Sequence, residues 1–212
     1  MNKTSKTPKI IKSINSVNNA IDRIFRYYEL FGEKDYIGEE ITQNEHMIQG
    51  AMFAEKDGQP IDVVIALFLH DIGHLIQLEI DEETIKCPDK RNSQRMGDYG
   101  SLNHEVKGRM FLENIGIPYP IPKLVENHVK TKRYLVYKNP EYYQKLSSAS
   151  KMTLCYQGGP MNLNEVAEFE NDPLFEMSLT VREYDEKSKL KNLKLNSLDY
   201  YRDMIRHYLL KD

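Results

Sequence analysis

Apolar residues recur at the spacing of an α-helix over most of this chain. From Ile14 to Phe31 they lie three or four positions apart and mark one helix face. Thr42 and Glu45 have the spacing of an N-terminal capping box and predict the start of a second amphipathic helix. Residues 61–76 (IDVVIALFLHDIGHLI) are apolar nearly all round, which predicts a buried central helix.

Helical patterns and their start signals also cover the C-terminal half, and no alternating run is long enough to build a sheet. Further helices are predicted over 103–116, from Pro120 past His128, from Asn139 and Pro140, over 147–157, behind Asn162, from Pro173 and over 197–210. The sequence therefore predicts an all-α protein with a single domain over 14–212, built from roughly eight to ten helices.

Two segments depart from the helical pattern. Residues 1–13 are basic and predict a frayed N-terminus, and residues 79–102 are polar over more than twenty positions. Loops of that length are uncommon in compact domains unless they act as lids or binding loops or are disordered. We therefore expect 79–102 to be a loop or a lid.

Composition excludes several classes of protein but does not indicate a function. The 212 residues carry 29 Lys+Arg and 32 Asp+Glu, a net charge of −3, which argues against a broad nucleic-acid-binding face. Two cysteines cannot form a disulfide framework, no apolar run reaches a membrane span, and the N-terminus lacks the apolar core of a signal peptide. We expect a cytoplasmic protein without nucleic-acid or membrane partners; its oligomeric state stays open.

The candidate chemistry begins with His70 and Asp71 inside the apolar segment. Burying an imidazole beside a carboxylate costs free energy unless hydrogen bonds or a metal ion compensate. His74 lies one turn later on the same face. Two interpretations are open from this segment alone, a hydrogen-bonded core histidine or a metal site.

The remaining histidines favour the metal site. Five of the six lie in the apolar segment or at predicted helix ends, where side chains can converge: His46, His70, His74, His104 and His128. Only His207 has the surroundings of a surface residue. Asp185 follows Leu174 and Val181 on an inward-looking helix face, although by spacing alone a solvated aspartate at a helix end is the simpler interpretation.

The order His46, His70-Asp71, Asp185 resembles the signature of the HD-domain superfamily, an all-α, metal-dependent fold. A longer set of separated motifs closely resembles one branch, the mixed-valent di-iron oxygenases of the PhnZ/TmpB type, which cleave the carbon–phosphorus bond of 1-hydroxyphosphonates. The resemblance runs from about residue 20 to 205. Its motifs are YIGE at 36–39, QNEH at 43–46, LHDIGHL at 69–75, KRYL at 132–135, LSSASK at 146–151, QGGPM at 157–161 and REYD at 182–185.

The resemblance implies a dinuclear metal site in the core of the helical bundle, with two iron ions (Fe2+/Fe3+) and O2 as co-substrate. Asp71 would bridge the irons. The first would also take His46, His70 and Asp185, and the second His104 and His128. Four imidazoles and two carboxylates suit iron better than magnesium, which prefers oxygen ligands.

The resemblance also implies roles around the metals. Tyr36 is similar to a tyrosine that caps an iron before substrate arrives, and Glu39 to a glutamate that faces a cationic substrate end. The positions that would hold the phosphonate are His74, Lys132, Ser150 and Arg182. Residues 130–151 carry six Lys or Arg against Glu141 alone, a local surplus that fits an anion, although such a run is more often a solvated face.

The implied reaction is iron- and O2-dependent cleavage of 2-amino- or 2-trimethylammonio-1-hydroxyethylphosphonate to phosphate plus glycine or glycine betaine, a step in organophosphonate catabolism. The alternative is an HD-type metal-dependent phosphohydrolase acting on a small phosphate ester or nucleotide. A third hypothesis is that the protein is a non-catalytic HD module that binds a metabolite.

Overall fold

The computed structural model describes residues 13–36, 38–86 and 95–211. In these ranges the chain is all-α, as predicted, with two isolated β-bridges, Asp35–Thr42 and Arg95–Ser101. The eleven described helices are α1 (Ile14–Phe31), α2 (Gln43–Lys56), α3 (Ile61–Leu69), α4 (Ile72–Lys86), α5 (His104–Asn114), α6 (Ile121–Lys138), α7 (Pro140–Lys145), α8 (Ser148–Tyr156), α9 (Leu163–Glu170), α10 (Phe175–Lys187) and α11 (Leu198–Leu210).

Short polar side chains define most helix starts. Thr42 and Asn162 each form a complete capping box, with Glu45 and Glu165 respectively. Each box satisfies backbone N–H groups that have no partner within the helix. Ser13, Asn139, Ser147 and Ser197 also accept from backbone N–H groups at their helix starts.

The central apolar helix is broken, which corrects the prediction of one continuous helix over 61–76. α3 ends at Leu69, α4 begins at Ile72, and His70 and Asp71 lie in the break. Side chains satisfy carbonyl groups of the last turn of α3: His70 Nδ1 donates to Leu67 O (2.7 Å) and the Tyr28 hydroxyl donates to Phe68 O. The two metal-ligand candidates of this segment, His70 and Asp71, therefore lie between two helices and not within one.

The main core surrounds α3, whose residues from Val63 to Leu69 are all buried. Helices α2, α6, α10 and α11 pack against it. The stretch Ile61–Glu82 is long and apolar enough by composition to cross a membrane, but 72% of its apolar window is buried inside the protein. That burial is typical of a core helix.

The two segments outside the helical pattern are described only in part. α4 continues to Lys86, so the first eight residues of the predicted loop 79–102 are helical instead. Residues 95–102 form a turn closed by the Arg95–Ser101 bridge. Residues 87–94 and the predicted basic segment up to residue 12 lie outside the described residues.

Candidate metal centre and adjoining cavity

Five structural elements bring the six predicted ligands together, and none is more than 4% exposed. They are His46 in the first turn of α2, His70 and Asp71 in the α3–α4 break, His104 as the first residue of α5, His128 in α6 and Asp185 near the end of α10. Because they arrive from separate elements, their meeting is a product of helix packing.

The first histidine pair is His46 and His70. Their Nε2 atoms lie 3.0 Å apart. Asp185 Oδ1 lies 3.1 Å from His46 Nε2 and 3.5 Å from His70 Nε2. Asp71 Oδ2 lies 3.6 and 3.5 Å from the same two nitrogens. The two Nε2 atoms and one oxygen of each aspartate therefore face one point.

The second pair, His104 and His128, repeats this arrangement with one oxygen fewer. Their Nε2 atoms are also 3.0 Å apart. Asp71 Oδ1 lies 3.4 Å from His104 Nε2 and 3.6 Å from His128 Nε2. Asp71 thus presents one carboxylate oxygen to each pair, and its carboxylate stands between them.

Hydrogen bonds determine which ring nitrogen faces the cluster. Nδ1 of His46, His70 and His128 lies 2.9, 2.7 and 2.6 Å from the carbonyls of Ser188, Leu67 and Val125. A carbonyl can only accept, so each Nδ1 carries a hydrogen and each neutral ring directs a lone pair from Nε2. Lone pairs that face each other at 3.0 Å repel unless a proton or a metal ion lies between them.

The donor set fits two transition-metal ions. Donor–donor distances of 3.0–3.6 Å are those of ligands about 2.1 Å from one ion at angles of about 90–120°. Four imidazole nitrogens with carboxylate oxygens suit iron or another transition metal better than magnesium. The two pairs could each hold one ion, with Asp71 shared.

Charge around the cluster also favours bound cations. Burial would raise the pKa of Asp71, but the four surrounding histidines lower it overall, so the carboxylate is ionised. Although burial lowers the pKa of His70, Asp71 and Asp185 raise it to about 9. Burial and the neighbouring His70 lower the pKa of His128 to about 4, which keeps that ring neutral.

Asp185 is held by Arg182 one turn earlier on α10. Arg182 Nη1 donates to Asp185 Oδ2 at 2.6 Å, which leaves Oδ1 for the first histidine pair. Burial alone would raise the pKa of Asp185, but the guanidinium holds it well below its usual range. Arg182 Nε also donates to Glu186 and Tyr142. The arginine therefore positions the Asp185 carboxylate.

His74 has the opposite hydrogen-bond polarity from the three histidines above. The Ser101 backbone N–H donates to His74 Nδ1 at 3.1 Å, so the neutral ring carries its hydrogen on Nε2 and can donate. One of its nitrogens lies within 4.8 Å of ligand atoms of Asp71 and His104, and its ring stacks on His104 at 4.0 Å. The tautomer suits an anion donor better than a metal ligand.

Two glycines allow these close approaches. A Cβ at Gly73 would lie 2.0 Å from His104 O, so only glycine lets α4 touch the first residue of α5. Gly100 has a φ of +93°, and a Cβ there would lie 2.7 Å from the His74 ring. Both positions control where a histidine sits.

A small cavity of about 60 Å³ adjoins the cluster. A cavity of this size has room for only a few water molecules, which favours a small ligand. The cavity is lined by all six remaining predicted site residues: Tyr36, Glu39, His74, Lys132, Ser150 and Arg182. The Tyr36 ring stacks on His46 at 3.9 Å.

Lys132 is the most deeply buried ammonium donor of the cavity. It is 4% exposed, and its Nζ donates to Thr153 Oγ1 at 2.9 Å. Burial, helped by Arg182, lowers its pKa to about 7. An anionic ligand would favour the charged form.

Most basic residues of the stretch 130–151 lie outside the cavity, so the local surplus of positive charge is not concentrated on an anion site. Of its Lys and Arg residues, only Lys132 lines the cavity. Lys130, Arg133 and Lys138 pair instead with glutamates outside the cavity. Successive helical residues point about 100° apart, so a basic run cannot face one site.

The structure adds cavity residues that sequence reasoning did not single out: Tyr99, Thr153 and Lys189. Lys189 belongs to a charged run, EKSKLK, which has no signal beyond that of a surface segment. Glu105 was also missed. Its Oε2 lies 3.6 Å from His104 Nδ1, on the side where backbone carbonyls face the other three histidine candidates, His46, His70 and His128.

Comparison with known proteins extends this picture. Residues 37–155 match the family described as HD domain. An uncharacterized protein of Acanthamoeba polyphaga mimivirus is 48% identical over 189 residues, which cover 89% of this chain and 81% of that protein.

Two further relatives have named activities. The [1-hydroxy-2-(trimethylamino)ethyl]phosphonate dioxygenase (glycine-betaine-forming) of Leisingera caerulea is 36% identical over 180 residues, covering 85% of each chain. The hydroxymethylphosphonate dioxygenase of Gimesia maris is 31% identical over 182 residues, again covering 85% of each chain.

Proposed function

Because this chain belongs to the HD-domain family of phosphonate oxygenases, we propose that it is a di-iron enzyme that uses O2 to cleave the carbon–phosphorus bond of a small 1-hydroxyphosphonate. The observation that carries the proposal is Asp71, whose two oxygens face two histidine pairs beside a cavity lined by anion donors. The Asp71 carboxylate is shared by a cluster of four donor atoms and a cluster of three. This arrangement supports a pair of metal ions.

The reaction balances without an external reductant. The substrate R–CH(OH)–PO3²⁻ and O2 give R–COOH and HPO4²⁻, so the C–H and C–P bonds break while new carbon–oxygen and phosphorus–oxygen bonds form. Iron, when bound, would supply the activation of O2 and the oxidation of C1. The candidates implied by sequence resemblance are 2-amino- and 2-trimethylammonio-1-hydroxyethylphosphonate, giving glycine or glycine betaine. Hydroxymethylphosphonate, named for the second relative, is a third.

The proposed ligands of the first iron are His46, His70, Asp71 and Asp185, and those of the second are Asp71, His104 and His128. We expect the cavity donors to bind and orient the phosphonate. Arg182 donates from Nε and Nη1 within the chain, and the remaining hydrogens of its guanidinium can bind phosphonate oxygens. Lys132, Ser150 and the Nε2 hydrogen of His74 add further donors. Tyr36, stacked on His46, covers the first pair from the cavity side.

The test is phosphate release by the iron-loaded protein, with iron content measured on the same sample. The panel contains the three hydroxyphosphonates, a phosphate monoester and a nucleotide. We expect two irons per chain and phosphate release from a hydroxyphosphonate in air, abolished under anaerobic conditions.

Oxygen-independent release of phosphate from the esters would instead establish the phosphohydrolase. The expectations of a small-molecule substrate without nucleic-acid or membrane partners, and of a cytoplasmic location, stay predictions.

A further inference from the structure

Glu39, the cavity carboxylate predicted to face a cationic substrate end, already has a cation from the chain itself. Lys189 Nζ lies 2.6 Å from Glu39 Oε1. The side chains are only 23% and 19% exposed, and both residues line the cavity. The other two cavity carboxylates, Asp71 and Asp185, face the histidine pairs.

The backbone around Lys189 is anchored on both sides. The preceding carbonyl, of Ser188, accepts from His46 Nδ1 at 2.9 Å. The following residue, Leu190, exchanges two hydrogen bonds with the Gln49 side chain, at 2.8 and 2.9 Å. The ammonium also lies 3.4 Å from Ser147 Oγ, at the cap of α8. These hydrogen bonds fix the backbone of Lys189 at a position from which its side chain reaches Glu39.

A matched ion pair lies next to this one but outside the cavity. Lys191 binds Glu40, and these side chains are 55% and 77% exposed. Exposed pairs of this kind contribute little, because water screens both charges. Both pairs join a lysine to a glutamate, and the two lysines and the two glutamates are near neighbours in sequence. The exposed pair Lys191–Glu40 is therefore a control for the cavity pair Lys189–Glu39.

Resting on the proposed function, we infer that Lys189 is a specificity-determining residue that selects 1-hydroxyphosphonates with an uncharged group on C1 over those with an ammonium. A substrate ammonium would have to displace a tethered ammonium from Glu39 and then lie beside it. Like charges brought together in a partly buried site disfavour binding. An alkyl group or hydrogen meets a neutralised pair and suffers no such repulsion.

The experiment compares two substrates of nearly equal shape, 2-amino-1-hydroxyethylphosphonate and 1-hydroxypropylphosphonate, in which a methyl replaces the ammonium. Dissociation constants are measured anaerobically by calorimetry on the iron-loaded protein, and kcat/KM by phosphate release in air. The proteins are the wild type, Lys189→Met, Lys189→Gln and the control Lys191→Met.

We expect the wild type to prefer 1-hydroxypropylphosphonate at least ten-fold in both measurements. Either Lys189 variant should reverse the preference to at least ten-fold for the amino compound, and Glu39→Gln added to Lys189→Met should remove that reversal. Lys191→Met should behave as the wild type does.

Equal or tighter binding of the amino compound by the wild type overturns the inference. The inference is also overturned if the ratio of the two dissociation constants is the same in the wild type and in the Lys189 variants. Failure of the proposed function looks different, because then neither compound releases phosphate in air while the two dissociation constants still report the selection by Lys189.

Discussion

The two histidine pairs have the same internal geometry but different surroundings. Both have Nε2 atoms 3.0 Å apart and share the Asp71 carboxylate. The His46–His70 pair has a second carboxylate, Asp185, which Arg182 holds in place. Among the described residues, the His104–His128 pair has Asp71 as its one carboxylate within 4.0 Å of Nε2.

The fold thus forms a four-donor and a three-donor candidate metal position from nearly the same residue types. Four donors around the first position leave less room for further ligands than three donors around the second. Open coordination positions are where substrates or O2 can bind a metal. We therefore expect the first position to be the tighter site and the second to be the more exchangeable one.

Replacing the shared carboxylate should have the largest effect. Asp71→Ala removes an oxygen from both positions and leaves buried histidine lone pairs facing each other. We expect iron content to fall from two per chain to near zero and phosphate release to be lost, as measured by elemental analysis and activity. Asp81→Ala, which removes a carboxylate from α4 away from the cluster, should keep both irons. Two irons retained by Asp71→Ala would contradict the shared-ligand assignment.

Removing one ligand from each position should separate the two. His128→Ala leaves the four-donor position intact, so we expect one iron per chain to survive dialysis against a chelator. Asp185→Ala leaves two three-donor positions and a buried Arg182 without its partner, so iron should be lost from both more easily. We expect affinity at the altered position to fall by at least about 100-fold, since even outer contacts are worth about 10–100-fold. Identical iron retention in the two variants would refute the asymmetry.

The open side should also show a pH effect on stability, smaller than the losses above. The pKa of Lys132 in the folded chain is about 7, below its ordinary value of 10.5. Between these values the unfolded chain binds more protons, so stability rises with pH, and the cost of charging Lys132 is complete below pH 7. In the metal-free protein, Lys132→Met should therefore be stabilising below pH 7, by at most about 5 kcal/mol, and neutral near pH 10.5.

Urea denaturation of both proteins between pH 6 and 10.5 measures this difference. Lys138→Met, on the same helix but exposed, is the control and should show no comparable pH dependence. A stability difference between Lys132→Met and the wild type that does not change with pH would show that burial of the ammonium is not its cause.

Much of the fold was predictable because its signals are local. Thr42 and Glu45 are three residues apart and form their capping box within one turn, and Ile14–Phe31 shows its buried face by periodicity alone. The break at His70 and Asp71 was not predictable, since the side chain that satisfies Phe68 O comes from Tyr28, forty positions away. The six candidate ligands were found through motif resemblance, and the structure brings all six together.

The sequence by itself determined the helices, their caps and the residue types available to hold metal, because these depend on neighbours within a few positions. Only the tertiary structure decided which histidine nitrogen faces the cluster, since Nδ1 of His46 is oriented by Ser188, 142 residues away. It alone paired Lys189 with Glu39 across 150 residues. Such contacts follow from how the helices pack, and no pattern within one segment contains that information.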